Sequence, residues 1–241
     1  MEAKKIAIIA GVILLTFFIG KKVIKSGFKT FKGEEVTIER DIDSFSKVSV
    51  RTGIEATLIE SDKEYIKIKT YKNSLDNLVT EVENDELTVE WSNMSFFEDR
   101  DAEVTIYYKN LESVSSSSGA EISGEDTIYA NHFMASASSG GELDILVVHH
   151  TSNIQASSGG QIDLKGSGNY VEIKTSSGGE VNGEHFLHKT ANIKTSSGGE
   201  IEIAVSDSIW GKVSSGGDIE IYADPTFVDI ETSSGGSYEV H

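Results

Sequence analysis

The stretch Ser196-Ser197-Gly198-Gly199-Glu200-Ile201-Glu202-Ile203 has close copies beginning at Ser117, Ser138, Ser157, Ser176, Ser214 and Ser233. The first glycines of the seven copies are Gly119, Gly140, Gly159, Gly178, Gly198, Gly216 and Gly235, so successive steps are 21, 19, 19, 20, 18 and 19 residues. A near-constant step of that size is the signature of a solenoid, in which each repeat is one coil stacked on the last.

Registering the copies on the first glycine shows what each coil buries. Three residues on stand Ile122, Leu143, Ile162, Val181, Ile201, Ile219 and Tyr238. Five residues before it stand Val114, Ala135, Ile154, Ile173, Ile193, Gly211 and Ile230. Apolar residues alternate with polar ones on both sides of the Ser-Ser-Gly-Gly corner, so each copy reads as strand, tight turn, strand. The glycines supply the positive φ that such a corner needs. One coil cannot bury its inward face alone, whereas stacked coils bury a continuous column. The variable stretch completing each repeat, for example residues 183–191, reads as a looser third side. Leucine-rich-repeat and strict hexapeptide spacings are both missing. The expected fold is therefore all-β: a parallel β-helix, right-handed, of about seven to nine coils, after one N-terminal hydrophobic helix.

The chain of 241 residues contains one proline, 23 glycines and no cysteine. The absence of cysteine excludes disulfides, thiolate metal sites and cysteine nucleophiles. A formal net charge of -18 argues against nucleic acid as a partner and suits cations or cationic surfaces.

Residues 1–25 differ from all that follows. Lys4 and Lys5 precede an uncharged run from Ile6 to Gly20, after which Lys21 and Lys22 follow in place of an Ala-x-Ala cleavage site. An uncleaved signal anchor or membrane span is favoured over a cleaved signal. The lysines after the run outnumber the basic residues before it, which by the positive-inside rule would hold the body in the cytoplasm, so a cytoplasmic face stays open beside a periplasmic or extracellular one. The expected organisation is an anchor at 1–25, a linker at 26–34, an N-terminal β region with degenerate first coils at 35–112, and regular repeats at 113–241. Around Gly53 the repeat register returns in degenerate form, with Val48 and Val50 before the glycine and Ala56 and Leu58 after it. Residues 74–82 are the only candidate for a short helix.

Phe45-Ser-Lys-Val-Ser-Val, Gly53-Ile-Glu-Ala-Thr-Leu-Ile, Asn73-Ser-Leu-Asp-Asn-Leu and Thr80-Glu-Val-Glu-Asn-Asp-Glu-Leu-Thr-Val precede the repeats in that order. This layout resembles the bacterial head GIN domain, the putative auto-transporter adhesin family (domain of unknown function 2807), over roughly residues 35–241. Members of that family usually turn on Gly-Ser-Gly-Asp, where this chain has Ser-Ser-Gly-Gly-Glu. The resemblance implies a pectin-lyase-like β-helix, an envelope location, no established catalytic residues and a role in adhesion.

The most distinctive chemistry is acidic. Two residues after each first glycine stand Glu121, Glu142, Gln161, Glu180, Glu200, Asp218 and Ser237, and two further on stand Ser123, Asp144, Asp163, Asn182, Glu202, Glu220 and Glu239. Stacked coils would align these as two ladders on one outward face, with rungs about 4.8 Å apart. Like charges so close favour raised pKa values or weak Ca²⁺ binding between rungs. The bland reading is a solvated strand face whose side chains splay apart, with no resident cofactor and no confident metal site.

A polysaccharide lyase or hydrolase would need a carboxylate group such as Asp144 with Asp163, flanked by Glu142 and Glu202. Against it, no arginine follows Arg100, and catalysis needs one irregular cleft. The corner serines read as structural, their hydroxyls bonding from coil to coil. The six histidines (His132, His149, His150, His185, His188 and His241) read as surface residues, Gly166-Ser167-Gly168 as a turn, and Trp91 and Trp210 as packing residues. The last repeat, with Tyr238 and Val240, carries no cap and suggests end-on self-association. The expectation is a non-enzymatic, membrane-tethered envelope binding or structural module, with adhesion to a glycan or envelope polymer as its role. The alternatives are a scaffold polymerising end to end at the membrane and, after it, a polysaccharide lyase or hydrolase.

Overall fold

A computed structural model describes residues 33–92 and 101–241. The N-terminal hydrophobic helix, the anchor and most of the linker lie outside the described residues. What is described is a β-solenoid of about seven turns. Its strands are β1 (Glu35–Asp41), β2 (Lys47–Arg51), β3 (Glu55–Glu60), β4 (Tyr65–Tyr71), β5 (Leu78–Glu83), β6 (Glu86–Trp91), β7 (Ala102–Tyr108) and β8 (Ser113–Ser117). They continue with β9 (Glu121–Ser138), β10 (Glu142–Ser157), β11 (Gln161–Ser176), β12 (Glu180–Ser196), β13 (Glu200–Val213), β14 (Asp218–Tyr222), β15 (Phe227–Thr232) and β16 (Ser237–Val240).

The corners explain the repeat. Ser118 and Gly119 both have positive φ, 56° and 73°, and the Ala120 amide donates to the Ser117 carbonyl at 3.2 Å. Two consecutive left-handed residues closed by that bond make a type I′ turn, and the same serine-glycine pair has positive φ in all seven copies. The second glycine answers a different demand. A Cβ at Gly179 would stand 2.3 Å from the carbonyl of Ala156 in the preceding coil, so the close approach of the coils excludes any side chain there. The corner serine hydroxyls make no coil-to-coil bonds among the described residues. The ladder is main-chain, with the Gly178 amide donating to Ser197 O at 3.2 Å and the Gly198 amide to Ser215 O at 3.1 Å, because positive φ leaves the second serine of each corner exposed to solvent.

From each corner β9 to β13 run on as continuous strands, so the third side is paired rather than loose. Glu142↔Gln161 starts a parallel register that holds as far as Ser157↔Ser176. The variation in repeat length is taken up by bulges, as between Asp163 and Gly166 and between Gly183 and Leu187. The core is the stack of inward side chains, with Ile122, Leu143, Ile162, Val181, Ile201 and Ile219 on one side of the corner and Ile154, Ile173 and Ile193 on the other, all buried.

The N-terminal coils are stacked out of sequence order. β2 and β3 form the coil that turns at Thr52 and Gly53, at φ 63° and 70°, and β2 lies between β6 and β8. β3 likewise lies between β7 and β9. Beyond β6 and β7 the pairing turns antiparallel: β5 on β6, and β1 on β4 on β7. The candidate helix at 74–82 is instead one 3₁₀ turn, Leu75–Asn77, leading straight into β5, whose apolar Leu78 and Val82 lie opposite Trp91 and Leu87 of β6.

Candidate functional site

The strands after the corners set the outward residues in register. Glu121 pairs with Glu142, which pairs with Gln161, and the line continues through Glu180, Glu200 and Asp218 to Ser237. Beside it run Ser123, Asp144, Asp163, Asn182, Glu202, Glu220 and Glu239. The first line also extends toward the N-terminal coils, since Glu55 lies opposite both Glu121 and Glu103. Glu55 was legible as the residue two after Gly53; Glu103 was not, because β7 follows no such corner. Lys69 closes this end, 2.7 Å from Glu103 and 3.7 Å from Glu35.

The polar neutral rungs and one lysine relieve the crowding in the middle of the face. Asn182 Nδ2 donates to Asp163 at 2.8 Å, and Lys165 Nζ lies 3.6 Å from Asp144. These residues, with Glu184, His185 and Glu202, line a shallow hollow. Toward the C-terminal coils acidic rungs follow one another directly, Glu180, Glu200 and Asp218 in one line and Glu202, Glu220 and Glu239 in the other. Burial first, and then Glu180, Asp218 and Glu220, raise the pKa of Glu200. Burial and then Glu220 and Glu200 raise that of Glu202. Tyr222 donates to Glu220 at 2.7 Å, which, with partial desolvation, pushes the phenol up to about 12.

Asp144 and Asp163 are adjacent rungs, each already engaged by a neighbour, and the face around them repeats from coil to coil. Among the described residues no group of three or more His, Cys, Asp or Glu side chains is placed to hold a metal ion.

Other side chains depart from their expected places. A lysine ladder, Lys174, Lys194 and Lys212, runs along the strands before the corners, four residues ahead of Gly178, Gly198 and Gly216, a regularity open to sequence reading but missed. Trp91 is buried, but Trp210 is on the surface with its ring 6.3 Å from that of Tyr170. Gly166 and Gly168 lie within β11 and not in a turn. His132, His150, His185 and His241 are exposed, whereas His149 and His188 are buried at 7% and 1% exposure. His185 and His188 belong to one strand, which turns the first outward and the second inward, so they cannot share a ligand.

The fold recurs in solved structures. A putative adhesin from Bacteroides fragilis superposes with a TM-score of 0.79 at 16% identity, covering 86% of this chain and 97% of its own. A putative adhesin from Parabacteroides merdae gives 0.67 at 16% identity over 87% and 97%. A putative lipid binding protein from Parabacteroides distasonis gives 0.63 at 17% identity over 87% and 97%. At such identities the likeness is one of fold. No curated protein matches the chain in sequence. The family model for the putative auto-transporter adhesin, head GIN domain, matches residues 44–225, a span running from the first coil through the Asp218 and Glu220 rungs, and the chain belongs to that family.

Proposed function

We propose that this protein is a non-catalytic envelope module, tethered to the membrane by its N-terminal hydrophobic segment, that uses its acidic face to hold a cationic or carbohydrate surface. The observation that carries this reading is the pair of in-register carboxylate ladders on one outward face. Repetition suits adhesion: each rung contributes weakly, and many rungs acting together raise avidity without any single strong contact. An enzyme would instead concentrate its chemistry in one irregular cleft. Weak Ca²⁺ binding between neighbouring rungs, two carboxylates at a time as at Glu200 with Asp218 or Glu202 with Glu220, would extend the same face to polyanionic sugars, since carboxylate and sugar oxygens are natural Ca²⁺ ligands. A second copy of the chain is a further candidate partner, supported by the exposed apolar side chains of Phe227, Tyr238 and Val240 on the outermost strands.

The test is retention of the full chain on an immobilised amino-sugar polymer and on a neutral one. Selective retention on the cationic polymer that weakens with salt, and that falls in an E180Q/E200Q/E202Q/E220Q variant, is the expected result. Equal retention of the variant and the parent would contradict it. The Ca²⁺ element has its own readout, because millimolar Ca²⁺ should raise the melting temperature of the parent and not of the variant.

A further inference from the structure

The third side of the coil holds a buried side-chain pair that the ladders do not explain. β10, β11 and β12 stack His149 on Gly168 and Gly168 on His188. Glycine leaves the middle position empty, and the two imidazoles meet across it with Nε2 3.3 Å from Nε2. The gap is a requirement of the pair, since a Cβ at Gly168 would fall 2.1 Å from His149 Cε1 and 2.8 Å from His188 Nε2. Phe186 packs against both rings, with centroids 5.3 Å from His149 and 4.3 Å from His188.

The outer nitrogens fix the tautomers. His188 Nδ1 lies 3.0 Å from the Phe186 carbonyl and His149 Nδ1 3.2 Å from the Ser167 carbonyl. A carbonyl only accepts, so each Nδ1 carries the N–H, and a neutral imidazole has one such hydrogen. Both Nε2 atoms therefore point lone pairs at each other inside the protein, a pair of buried acceptors with no donor. A cation seated between the two nitrogens would satisfy both lone pairs at once.

We propose that His149 and His188 chelate a divalent transition-metal ion of the zinc type through their Nε2 atoms. Two bonds of about 2.0–2.1 Å at a tetrahedral angle place the nitrogens roughly 3.3–3.4 Å apart, which is the separation present. A second ring nitrogen donating to a main-chain carbonyl is the outer contact that orients metal-binding histidines. A hollow walled by Val148, Ser167, Asn169, Leu187 and Ser206 opens onto the pair, leaving room for water at the remaining two positions. Lys189 at its rim favours an anionic ligand at one of them. With two protein ligands the site is an open, exchangeable one and not a closed structural one.

The full chain should be titrated with Zn²⁺ by calorimetry at neutral pH and with Co²⁺ by visible absorbance. One equivalent should bind, with the absorption of tetrahedral Co²⁺ bleached by Zn²⁺. His149→Gln should weaken binding by at least the roughly 10–100-fold that loss of an outer partner alone costs, while His150→Gln and His185→Gln should leave it unchanged. If His149→Gln fails to fold, ring-nitrogen NMR of the parent chain decides: Zn²⁺ must shift the Nε2 signals of two histidines whose Nδ1 remains protonated. Absence of binding at millimolar Zn²⁺, or shifts confined to the exposed histidines, would overturn the proposal.

Discussion

In six of the seven corners two glycines stand together, each needed for a different reason, and substitution separates them. At Gly178 φ is +70° and nothing lies within 4 Å of the place a methyl group would take, whereas at Gly179 the methyl would meet the Ala156 backbone. Gly178→Ala should cost roughly 1–2 kcal/mol, the penalty for a side chain in the left-handed region. Gly179→Ala should cost more, because the coils must part to admit it, and denaturant melts of the two variants check the order. The histidine pair makes a second prediction. Burial lowers both pKa values from 6.5 to about 4, so between those values the folded chain binds fewer protons than the unfolded one. Its contribution to stability is whole above pH 6.5 and is lost as the pH falls toward 4, and His149→Gln should flatten that part of a stability profile against pH. The corner glycines were legible because they repeat in one register. The histidines were not, because His149, Gly168 and His188 recur only as a single column, and a histidine beside a glycine carries no mark of burial until the coils are stacked.

Among elements, the acidic strands of the C-terminal coils bear like charge on consecutive rungs. Raised pKa values at Glu200 and Glu202 mean that the folded chain takes up protons more readily than the unfolded one, so this face gains stability as pH falls from neutral, opposite in sign to the histidine pair. Glu202→Gln should stabilise the chain at neutral pH by about 0.2–1 kcal/mol, the usual scale of a cross-strand pair, and the gain should shrink with added salt. At the other end Arg40 on β1 donates to the carbonyls of Leu78 and Leu75 and to Thr80 Oγ1, tying β1 to the 3₁₀ turn and β5. Arg40→Ala should cost roughly 1.5–3 kcal/mol, as loss of hydrogen bonds from a charged group does, with hydrogen exchange rising first in β1 and β5. Both ladders could be read from the sequence, since strands of one period must align their outward residues. The third side could not, because bulges absorb the changes in repeat length and break the alternation that would have marked it as strand. The out-of-order stacking of β2 and β3 between later strands was hidden for another reason: pairing between distant segments leaves no local pattern.

At the scale of the molecule, the solenoid sets the polar rungs of successive coils in register on one outward face. The family is one of putative adhesins, in line with the proposed surface-binding role, and the charge of -18 makes a cationic surface the partner to test. Adhesion requires the acidic face to be presented outside the cytoplasm, which the lysines following the hydrophobic run dispute. The decisive measurement is protease accessibility of the acidic body in intact cells, in spheroplasts and after lysis. Cleavage before lysis, in cells or in spheroplasts, is the predicted result; protection of the body until the cytoplasm is opened would contradict the account and leave a scaffold on the inner face of the membrane in its place.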